Sequence, residues 1–317
     1  MAAPRPDMVT ILLATYQGAA YLDAQLASFH AQTHRCWRLW VSDDGSTDGT
    51  LAILHRFAKT LRPGQEFRLF HGPGAGAAAN FLSLLHHPDL PAGPVALSDQ
   101  DDVWLPHRLA RGLAMMNETP AGRPGLYAAN TSPADADLTP YRRRDRVALQ
   151  PSFANALVQN ILAGNTMMLN AAAIRILRAI GPPGSAVPFH DWWLYLLFSG
   201  IGAQIIHDET PCLYYRQHDR NILGAHRGGR AVAWRIHRMI DGTYGRWIAR
   251  NTAALAPLAP HLSADAQARL ASFAAGSGRG GLAQYLSLHR AGARRSSGAA
   301  TALLCCLALT GKLQNPH

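Results

Sequence analysis

Hydrophobic residues recur along the first hundred positions in short runs, and stretches with helical spacing separate them. The first run, residues 9–14, is followed by turn residues and then by apolar positions at helical spacing from Tyr21 to Phe29. The second run, residues 37–41, leads through the polar residues 42–50 into another helical pattern. Period-2 or continuous apolar runs favour strands, whereas recurrence every three or four residues favours helices. Each segment therefore predicts a strand, a turn and a helix.

The alternation continues for two further units. Residues 67–70 form a third predicted strand, which leads through the glycine-rich residues 72–76 into a helix around residues 80–86, and a fourth run begins at Val95. Strands that alternate with helices predict an α/β fold with a mostly parallel central sheet flanked by helices. Ligands of such sheets bind beyond the carboxyl ends of the strands. We therefore expect one crevice lined by Thr15, Tyr16, Asp43, Asp44, Asp99 and Asp101.

Three acids, Asp99, Asp101 and Asp102, follow the fourth predicted strand directly and precede Pro106, near which a helix should begin. Carboxylate oxygens suit a hard divalent cation such as Mg²⁺ or Mn²⁺, and Mg²⁺ commonly combines one or two carboxylates with substrate phosphates. The alternative is a solvated acidic turn that caps the following helix, since a short Asp-x-Asp match often arises by chance. The sequence thus predicts a metal site here, with a helix cap as the competing interpretation.

The chain resembles the family 2 glycosyltransferases over about its first 225 residues. The resemblance rests on the order and spacing of six segments, residues 13–18, 41–50, 97–104, 160–169, 190–193 and 215–218. Within that family, the sequence of residues 98–104, together with segments 190–193 and 215–218, resembles the rhamnosyltransferase-like branch that builds bacterial surface polysaccharides. One departure is Gln17, where the family usually carries Asn.

The resemblance implies a GT-A fold, which is Rossmann-like, and an inverting enzyme with a nucleotide-diphospho-sugar donor. It implies that Asp43 accepts a hydrogen bond from the pyrimidine N3–H and that Thr15 and Tyr16 line the base pocket. Asp44 belongs to the same nucleotide-sugar-binding set. The alternative for Asp43 is a turn or N-cap acid that feeds the next helix.

The resemblance also implies the metal contacts. Asp99 would approach the ribose and the waters of the metal, and Asp101 would ligate the Mg²⁺ or Mn²⁺ that bridges the diphosphate and stabilises the leaving group as a Lewis acid. His218 is a candidate for a further metal contact, and Arg216 is a candidate partner for a phosphate. The alternative for His218 is a loop histidine with no ligand.

Inversion at the anomeric carbon needs a base that takes the proton of the acceptor hydroxyl, and an Asp or Glu is the usual solution. With the family resemblance, Asp191 is our candidate, because it opens an apolar helix beside Trp192, whose ring suits a sugar face. An ordinary N-cap Asp is the alternative, and Trp192 or Trp193 would serve equally as a core residue. Gly164 would let the backbone approach the sugar closely.

Length and charge suggest two parts. The chain has 317 residues, of which 48% are hydrophobic, enough for a full α/β core and a smaller appendage. Residues 227–317 carry eleven Arg and one Lys against two Asp, so they hold a net charge of +10, equal to that of the whole chain. We expect a GT-A domain over residues 1–226 and a basic helical extension over residues 227–317, with helices near residues 231–240 and 299–309.

The basic extension suggests contact with an anionic membrane, where a lipid-linked acceptor would reside. A solvated helical cap is the alternative. We do not expect nucleic-acid binding, because the extension shows no nucleic-acid module and the acids of the crevice would repel phosphates without a metal. Residues 1–7 show no signal-peptide pattern, and no window reaches the length of a membrane span. We expect a cytoplasmic enzyme with peripheral association at the inner face of the plasma membrane.

These observations predict a metal-dependent, inverting glycosyltransferase. Its first-choice donor is dTDP-L-rhamnose, and its acceptor is a hydroxyl of a surface-polysaccharide or lipid-linked glycan. A UDP-hexose donor is the alternative within the class, because Asp43 would read uracil and thymine alike. A non-catalytic glycan-binding or scaffold protein is the alternative outside it.

Overall fold

The structure is a computed structural model, and it describes residues 8–141, 150–218, 241–276, 278–279, 281–311 and 313. The described residues form two compact units that are each discontinuous in sequence. The first unit draws on residues 1–143, 162–182 and 203–216, and the second on residues 144–161, 183–202 and 217–317. The boundary predicted between residues 226 and 227 lies outside the described residues, so the domain division made from the sequence stays a prediction.

The described strands are β1 Val9–Thr15, β2 Trp37–Asp43, β3 Phe67–His71, β4 Val95–Ser98, β5 Val103–Trp104, β6 Gly125–Ala129, β7 Ser132–Ala134, β8 Met168–Leu169, β9 Gln204–Asp208 and β10 Leu213–Arg216. The described α-helices are α1 Leu22–His30, α2 Thr50–Ala58, α3 Ala77–Leu85, α4 Arg108–Met116, α5 Phe153–Ala156, α6 Ala171–Ile180, α7 His190–Gly200, α8 Thr243–Leu255, α9 Ala264–Ala274, α10 Leu282–Arg290 and α11 Gly298–Leu309. Two 3₁₀ helices span Gly164–Thr166 and Ala256–His261.

The first unit is built on a seven-stranded sheet in the order β3-β2-β1-β4-β8-β6-β9. The pairs β1–β2, β2–β3, β1–β4 and β6–β9 are parallel, whereas β8 runs antiparallel to both β4 and β6. The expected mostly parallel sheet is therefore confirmed, with one short reversed strand in its middle. A second sheet of three strands, β5-β10-β7, lies in the same unit.

Both faces of the central strands β1, β2 and β4 are buried, which explains the unbroken apolar runs of these strands. Val9, Ile11 and Leu13 of β1 have no exposed surface, and α1 contributes Phe29 to the same core. The Phe29 ring meets the Trp104 ring edge-on, with their centroids 4.7 Å apart. This packing fixes α1 and the loop that leaves β4, because Trp104 belongs to β5 at the end of that loop.

The parallel register brings polar strand ends together. Thr15 at the end of β1 lies opposite Asp43 at the end of β2, and Leu13 lies opposite Ser98 at the end of β4. Residues that follow these three strands therefore lie at the same edge of the sheet. This is the arrangement expected from the sequence.

The second unit is helical among the described residues. All but three of the residues of α7 are buried, including Trp192, Trp193 and Phe198, so this helix forms the centre of the unit. The hydroxyl of Tyr195 donates to the main-chain oxygen of Ser152 over 3.0 Å and fixes α7 to the start of α5. The helix predicted near residues 299–309 is observed as α11, whereas that predicted near residues 231–240 lies outside the described residues. No helix within the described ranges combines the length and apolar character needed to cross a bilayer.

Candidate functional site

An acidic cluster stands directly beyond β4. Each of Asp99, Asp101 and Asp102 offers a carboxylate oxygen, and these oxygens lie within 4.8 Å of one another. Asp99 and Asp101 are partly exposed, whereas Asp102 is fully buried. An all-oxygen, anionic donor set of this size fits a hard divalent cation such as Mg²⁺ or Mn²⁺.

Asp102 differs from its two neighbours because protein donors hold both of its oxygens. The side-chain amide of Asn165 donates to Oδ2, and the main-chain N–H of Arg216 donates to Oδ1 over 3.3 Å. Burial raises the pKa of Asp102 well above its ordinary value, and the charges of Asp101 and Asp99 raise it further. Asp102 thus anchors the acidic loop to the interior of the first unit.

Arg216 holds the same loop from its other side. Its Nε donates to the main-chain oxygen of Asp101 over 2.8 Å, its Nη1 donates to the main-chain oxygen of Ala136, and its guanidinium carbon lies 4.7 Å from the centre of the Tyr21 ring. The residue is only 5% exposed. These contacts explain how the loop is fixed, and the phosphate contact predicted for Arg216 stays a prediction.

Asp43 closes the loop after β2 through four hydrogen bonds. Oδ2 accepts from the hydroxyls of Thr15 and Ser46, both over 2.7 Å, and Oδ1 accepts from the main-chain N–H groups of Gly45 and Ser46 over 3.2 and 2.7 Å. The turn role considered as an alternative is therefore present in the structure. The predicted contact of the same carboxylate with a pyrimidine N3–H stays a prediction.

Asp44 connects the loop after β2 to the loop after β3. Its two carboxylate oxygens accept from the main-chain N–H groups of Gly74 and Gly76 over 2.8 and 2.9 Å. Gly72 has to lack a side chain, because a Cβ there would lie 2.4 Å from Oδ1 of Asp44. The predicted role of Asp44 in nucleotide binding would be exerted by holding this loop in place or by direct contact with the nucleotide.

Gln17 joins the loop after β1 to the loop after β2. Its backbone adopts a left-handed φ of 50°, its Nε2 donates to the hydroxyl of Thr47 over 2.9 Å, and its Oε1 accepts from the N–H groups of Thr47 and Asp48. The main-chain N–H of Gln17 also donates to the hydroxyl of Ser46 over 2.8 Å. The amide that departs from the family pattern therefore holds two loops together.

Tyr16 is the most exposed large aromatic residue at this edge, with 57% of its surface accessible. Its main-chain N–H and C=O both bond to the side chain of Gln100 over 2.9 Å. An exposed ring on a fixed main chain suits the stacking of a planar base. The predicted role of Tyr16 in the base pocket is compatible with this geometry.

Gly164 is buried and begins the 3₁₀ helix Gly164–Thr166, which also carries Asn165, the partner of Asp102. The hydroxyl of Thr166 accepts from the main-chain N–H of Ala129 over 3.1 Å and ties this helix to β6. The segment thus supports the acidic loop from within the first unit. Contact of Gly164 with a sugar stays a prediction.

The remaining predicted residues belong to the second unit. Asp191 lies in the first turn of α7, and its Oδ1 accepts from the main-chain N–H of Trp192 over 2.7 Å. Trp192 is 3% exposed, and its indole N–H donates to the main-chain oxygen of Ala156 over 2.7 Å. His218 follows β10 by two residues. The roles predicted for Asp191, Trp192 and His218 stay predictions.

The first unit therefore contains eight of the residues predicted for the site, namely Thr15, Tyr16, Asp43, Asp44, Asp99, Asp101, Gly164 and Arg216. Residues to which the sequence reasoning gave no individual role complete the network, among them Asp102, Gln100, Asn165 and Asn80. The buried Asn80 donates to the main-chain oxygen of Ser42 over 2.9 Å behind the Asp43 loop. Asp102 and Gln100 lie in segment 97–104 and Asn165 lies in segment 160–169, both of which carry the family resemblance, whereas Asn80 lies in ordinary local sequence.

The mostly parallel sheet with an acidic cluster at the carboxyl ends of its strands agrees with the GT-A fold. Residues 10–175, more than half of the chain, match the family "Glycosyl transferase family 2". The chain belongs to this family.

Similar proteins agree with this assignment. The dTDP-rhamnosyl transferase RfbG of Shigella flexneri is 25% identical over 252 residues, which cover 77% of this chain and 84% of RfbG. The mannosyltransferase PcManGT of Pyrobaculum calidifontis, solved in complex with GDP-Man and Mn²⁺, superposes with a TM-score of 0.56 at 21% identity, covering 96% of this chain and 79% of that one. Residues 1–349 of TarS of S. aureus give a TM-score of 0.52 at 15% identity, covering 86% of this chain and 72% of that one. The two structural likenesses establish the fold.

Proposed function

We propose that this protein transfers a sugar with inversion from a nucleotide-diphospho-sugar to a hydroxyl of a glycan acceptor, in a reaction that depends on Mg²⁺ or Mn²⁺. The observation that carries the proposal is the cluster of three carboxylates within 4.8 Å at the carboxyl end of the sheet. In the register of β1, β2 and β4, the cluster adjoins the strand ends that carry Thr15 and Asp43.

Asp99 and Asp101 would hold the cation, because both are partly exposed, whereas Asp102 is fully buried against Asn165 and the main chain of Arg216. A bound divalent cation would stabilise, as a Lewis acid, the negative charge that develops on the departing nucleoside diphosphate. Arg216 and the amide of Asn165 would keep the loop in one geometry for this purpose. The Mn²⁺ in the structure of PcManGT supports this assignment. His218 is proposed as a further ligand from the family resemblance alone.

Recognition of the base is proposed for the loops after β1 and β2. The ring of Tyr16 would stack on the base, and Asp43 would accept from N3–H with Thr15 and Ser46 already fixing its orientation. A carboxylate that accepts hydrogen bonds from several protein donors is pre-organised for such a contact. Asp44 would act by holding Gly74 and Gly76 in place.

The first-choice donor is dTDP-L-rhamnose. The similarity to RfbG over 84% of that protein supports it, as does the motif wording of residues 98–104. The alternative is a UDP-hexose, because uracil and thymine present the same N3–H to Asp43. We further propose that Asp191 is the base that takes the acceptor proton, and that Trp192 and Gly164 contribute to sugar binding.

A donor panel tests the proposal. Purified protein with Mg²⁺ or Mn²⁺ is incubated with dTDP-rhamnose, UDP-hexoses and GDP-mannose, and nucleoside diphosphate release and binding are measured with and without EDTA. We expect turnover or binding of dTDP-rhamnose, lost on chelation. Preference for a UDP-hexose would correct the donor, and the absence of metal-dependent binding to any donor would favour a non-catalytic glycan-binding or scaffold role.

We also propose that the protein associates with the inner face of the plasma membrane, where a lipid-linked acceptor would reside. Two exposed leucines, Leu282 and Leu286, share one face of α10. The exposed Leu309 at the end of α11 lies near the start of α10, because a side chain on Gly281 would place its Cβ 3.4 Å from the main-chain oxygen of Leu309. No acid occurs after Asp265, whereas that stretch contains five Arg and one Lys. Apolar surface beside positive charge suits anionic lipid.

Vesicle flotation tests this association. We expect the protein to float with vesicles that contain phosphatidylglycerol at low salt, to float less at high salt, and to float less when Leu282 and Leu286 are both replaced by Ser. Phosphatidylcholine vesicles and an Asp23→Asn variant, which alters an exposed acid on α1, are the controls. No flotation with anionic vesicles at low salt would leave the basic segment as a solvated helical cap.

A further inference from the structure

Gln100 lies between Asp99 and Asp101 in sequence, yet its side chain bonds to a different loop. Its Oε1 accepts from the main-chain N–H of Tyr16, and its Nε2 donates to the main-chain oxygen of Tyr16, both over 2.9 Å. Tyr16 is the first residue beyond β1, where the paired register with β2 has ended. The amide of Gln100 therefore takes the place that the peptide group of a neighbouring strand would occupy, and satisfies both main-chain groups of Tyr16.

Gly18 leaves the space that the Gln100 amide occupies in this contact. An ideal Cβ on Gly18 would lie 2.3 Å from Oε1, 2.7 Å from Cδ and 3.4 Å from Nε2 of Gln100, and these are its three nearest heavy atoms. The φ of Gly18 is not in the left-handed region, so the backbone itself would accept another residue. A side chain at position 18 would therefore displace the Gln100 amide from its contact with Tyr16.

The contact joins the two halves of the proposed donor site. On one side, Tyr16 follows Thr15, whose hydroxyl donates to Asp43. On the other side, Gln100 is flanked by the two carboxylates proposed to hold the cation. A donor that spans these loops has to meet the base contacts and the metal contacts at the same time, and small errors in such positions are costly for the rate.

We propose that Gln100 is a positioning residue that keeps the Asp99 and Asp101 carboxylates in register with the base-binding residues Thr15 and Tyr16, and that Gly18 is kept free of a side chain to admit it. This inference rests on the proposed function, since it assumes that the crevice binds a nucleotide-diphospho-sugar. It adds to that function a residue that touches neither donor nor metal and acts through the geometry of two loops.

A double-mutant cycle tests the proposal with Gln100→Ala, Gly18→Ala and the two changes combined. Replacing Gln100 removes both hydrogen bonds, and adding a Cβ at Gly18 expels the Gln100 amide, so each single change should weaken the binding of dTDP or UDP in the presence of Mn²⁺ about tenfold, which is about 1.4 kcal/mol. The combined variant should also be weakened about tenfold, because alanine at position 100 vacates the space that the new Cβ needs. Independent sites would instead multiply to about a hundredfold loss.

Three further readouts separate positioning from general stability. The thermal midpoint should stay within a few degrees of the parent value in all variants, since the contact is exposed. The donor KM should rise more than kcat falls, because the loss lies in the simultaneous engagement of base and metal. Gly184→Ala is the matched control, because its Cβ would meet no atom within 4 Å, and it should leave the nucleotide affinity unchanged.

The outcomes distinguish this inference from the function on which it rests. No metal-dependent nucleotide binding by the parent protein would overturn the proposed function and the inference with it. Tight binding by the parent together with an additive cycle, or with an unchanged affinity in Gln100→Ala, would overturn the role of Gln100 alone. A large drop in the thermal midpoint that accounts for the loss of binding would assign Gln100 to folding.

Discussion

Replacing Asp101 with Asn is expected to lower kcat/KM for the donor by at least about a thousandfold, which corresponds to about 4 kcal/mol of transition-state stabilisation. Asp101 is the acid that we assign most directly to the metal, and it is partly exposed at the end of β4. The amide keeps the shape of the side chain but loses the charge that a divalent cation needs from its ligand. The measurement is donor turnover titrated with Mn²⁺, together with nucleotide binding with and without metal.

Two further Asp→Asn variants serve as comparisons for Asp101→Asn. Asp89→Asn makes the same change at an exposed acid that pairs with Arg68 over 3.3 Å, and it should leave turnover unchanged, because exposed ion pairs contribute little. Asp102→Asn should lower the thermal midpoint as well as activity, because an amide nitrogen would face the donors of Asn165 or Arg216. Full metal-dependent turnover by Asp101→Asn would remove Asp101 from the metal site and point to Asp99 as the principal ligand.

Replacing Asp191 with Asn is expected to abolish sugar transfer, with a loss of at least about a thousandfold in kcat, while nucleotide affinity changes less than about threefold. The physical reason is that an amide cannot take the proton of the acceptor hydroxyl, whereas its oxygen can still accept from the N–H of Trp192, as Asp191 does over 2.7 Å. The helix start should therefore survive the change. Transfer to a glycan acceptor and binding of the nucleoside diphosphate are measured on the same preparation.

The contrast between these two quantities decides the role of Asp191. Parallel loss of transfer and nucleotide binding, with a lower thermal midpoint, would make Asp191 a structural residue of α7. Retained transfer would show that another group accepts the proton. Asp265→Asn, at an exposed acid that pairs with Arg269 over 2.7 Å in α9 of the same unit, is the control and should leave both quantities unchanged.

The effects of the two substitutions are expected to differ in kind. Loss of Asp101 should weaken nucleotide binding in the presence of metal, because the cation would bridge protein and diphosphate. Loss of Asp191 should act only after the donor has bound. Measuring nucleotide affinity for both variants at one Mn²⁺ concentration therefore separates the metal-binding step from the acceptor-activation step.

Much of the first unit was predictable from the sequence. β1, β2, β3 and β4 are observed within about two residues of the predicted runs. For β1, β2 and β4 the reason is that a strand buried on both faces needs a continuous apolar segment, which local composition reveals. The meeting of the ends of β1, β2 and β4 was predictable as well, since parallel strands deliver their carboxyl ends to one edge. The acids at residues 99, 101 and 102 could thus be assigned to that edge without coordinates.

Other features depended on contacts between residues that are far apart in the chain. The short antiparallel strand β8 carries too few residues to show a periodicity, and only its pairing with β4 and β6 inserts it into the sheet. The two compact units each combine separate stretches of sequence, which no composition shift revealed. The stability of such strand pairs depends on neighbouring strands that cannot be identified from the local sequence.

The roles of individual polar side chains divide in the same way. The sequence by itself determined which residue types stand at the strand ends, and therefore that carboxylates, an exposed tyrosine and glycine-rich turns meet at one edge. Only the tertiary structure decided where each side chain points. It buries Asp102 against Asn165, turns Arg216 onto the main chain of Asp101, and directs Gln100 away from its acidic neighbours to Tyr16. Local sequence fixes backbone propensity, whereas the direction of a polar side chain depends on which distant donor or acceptor it meets when water is excluded.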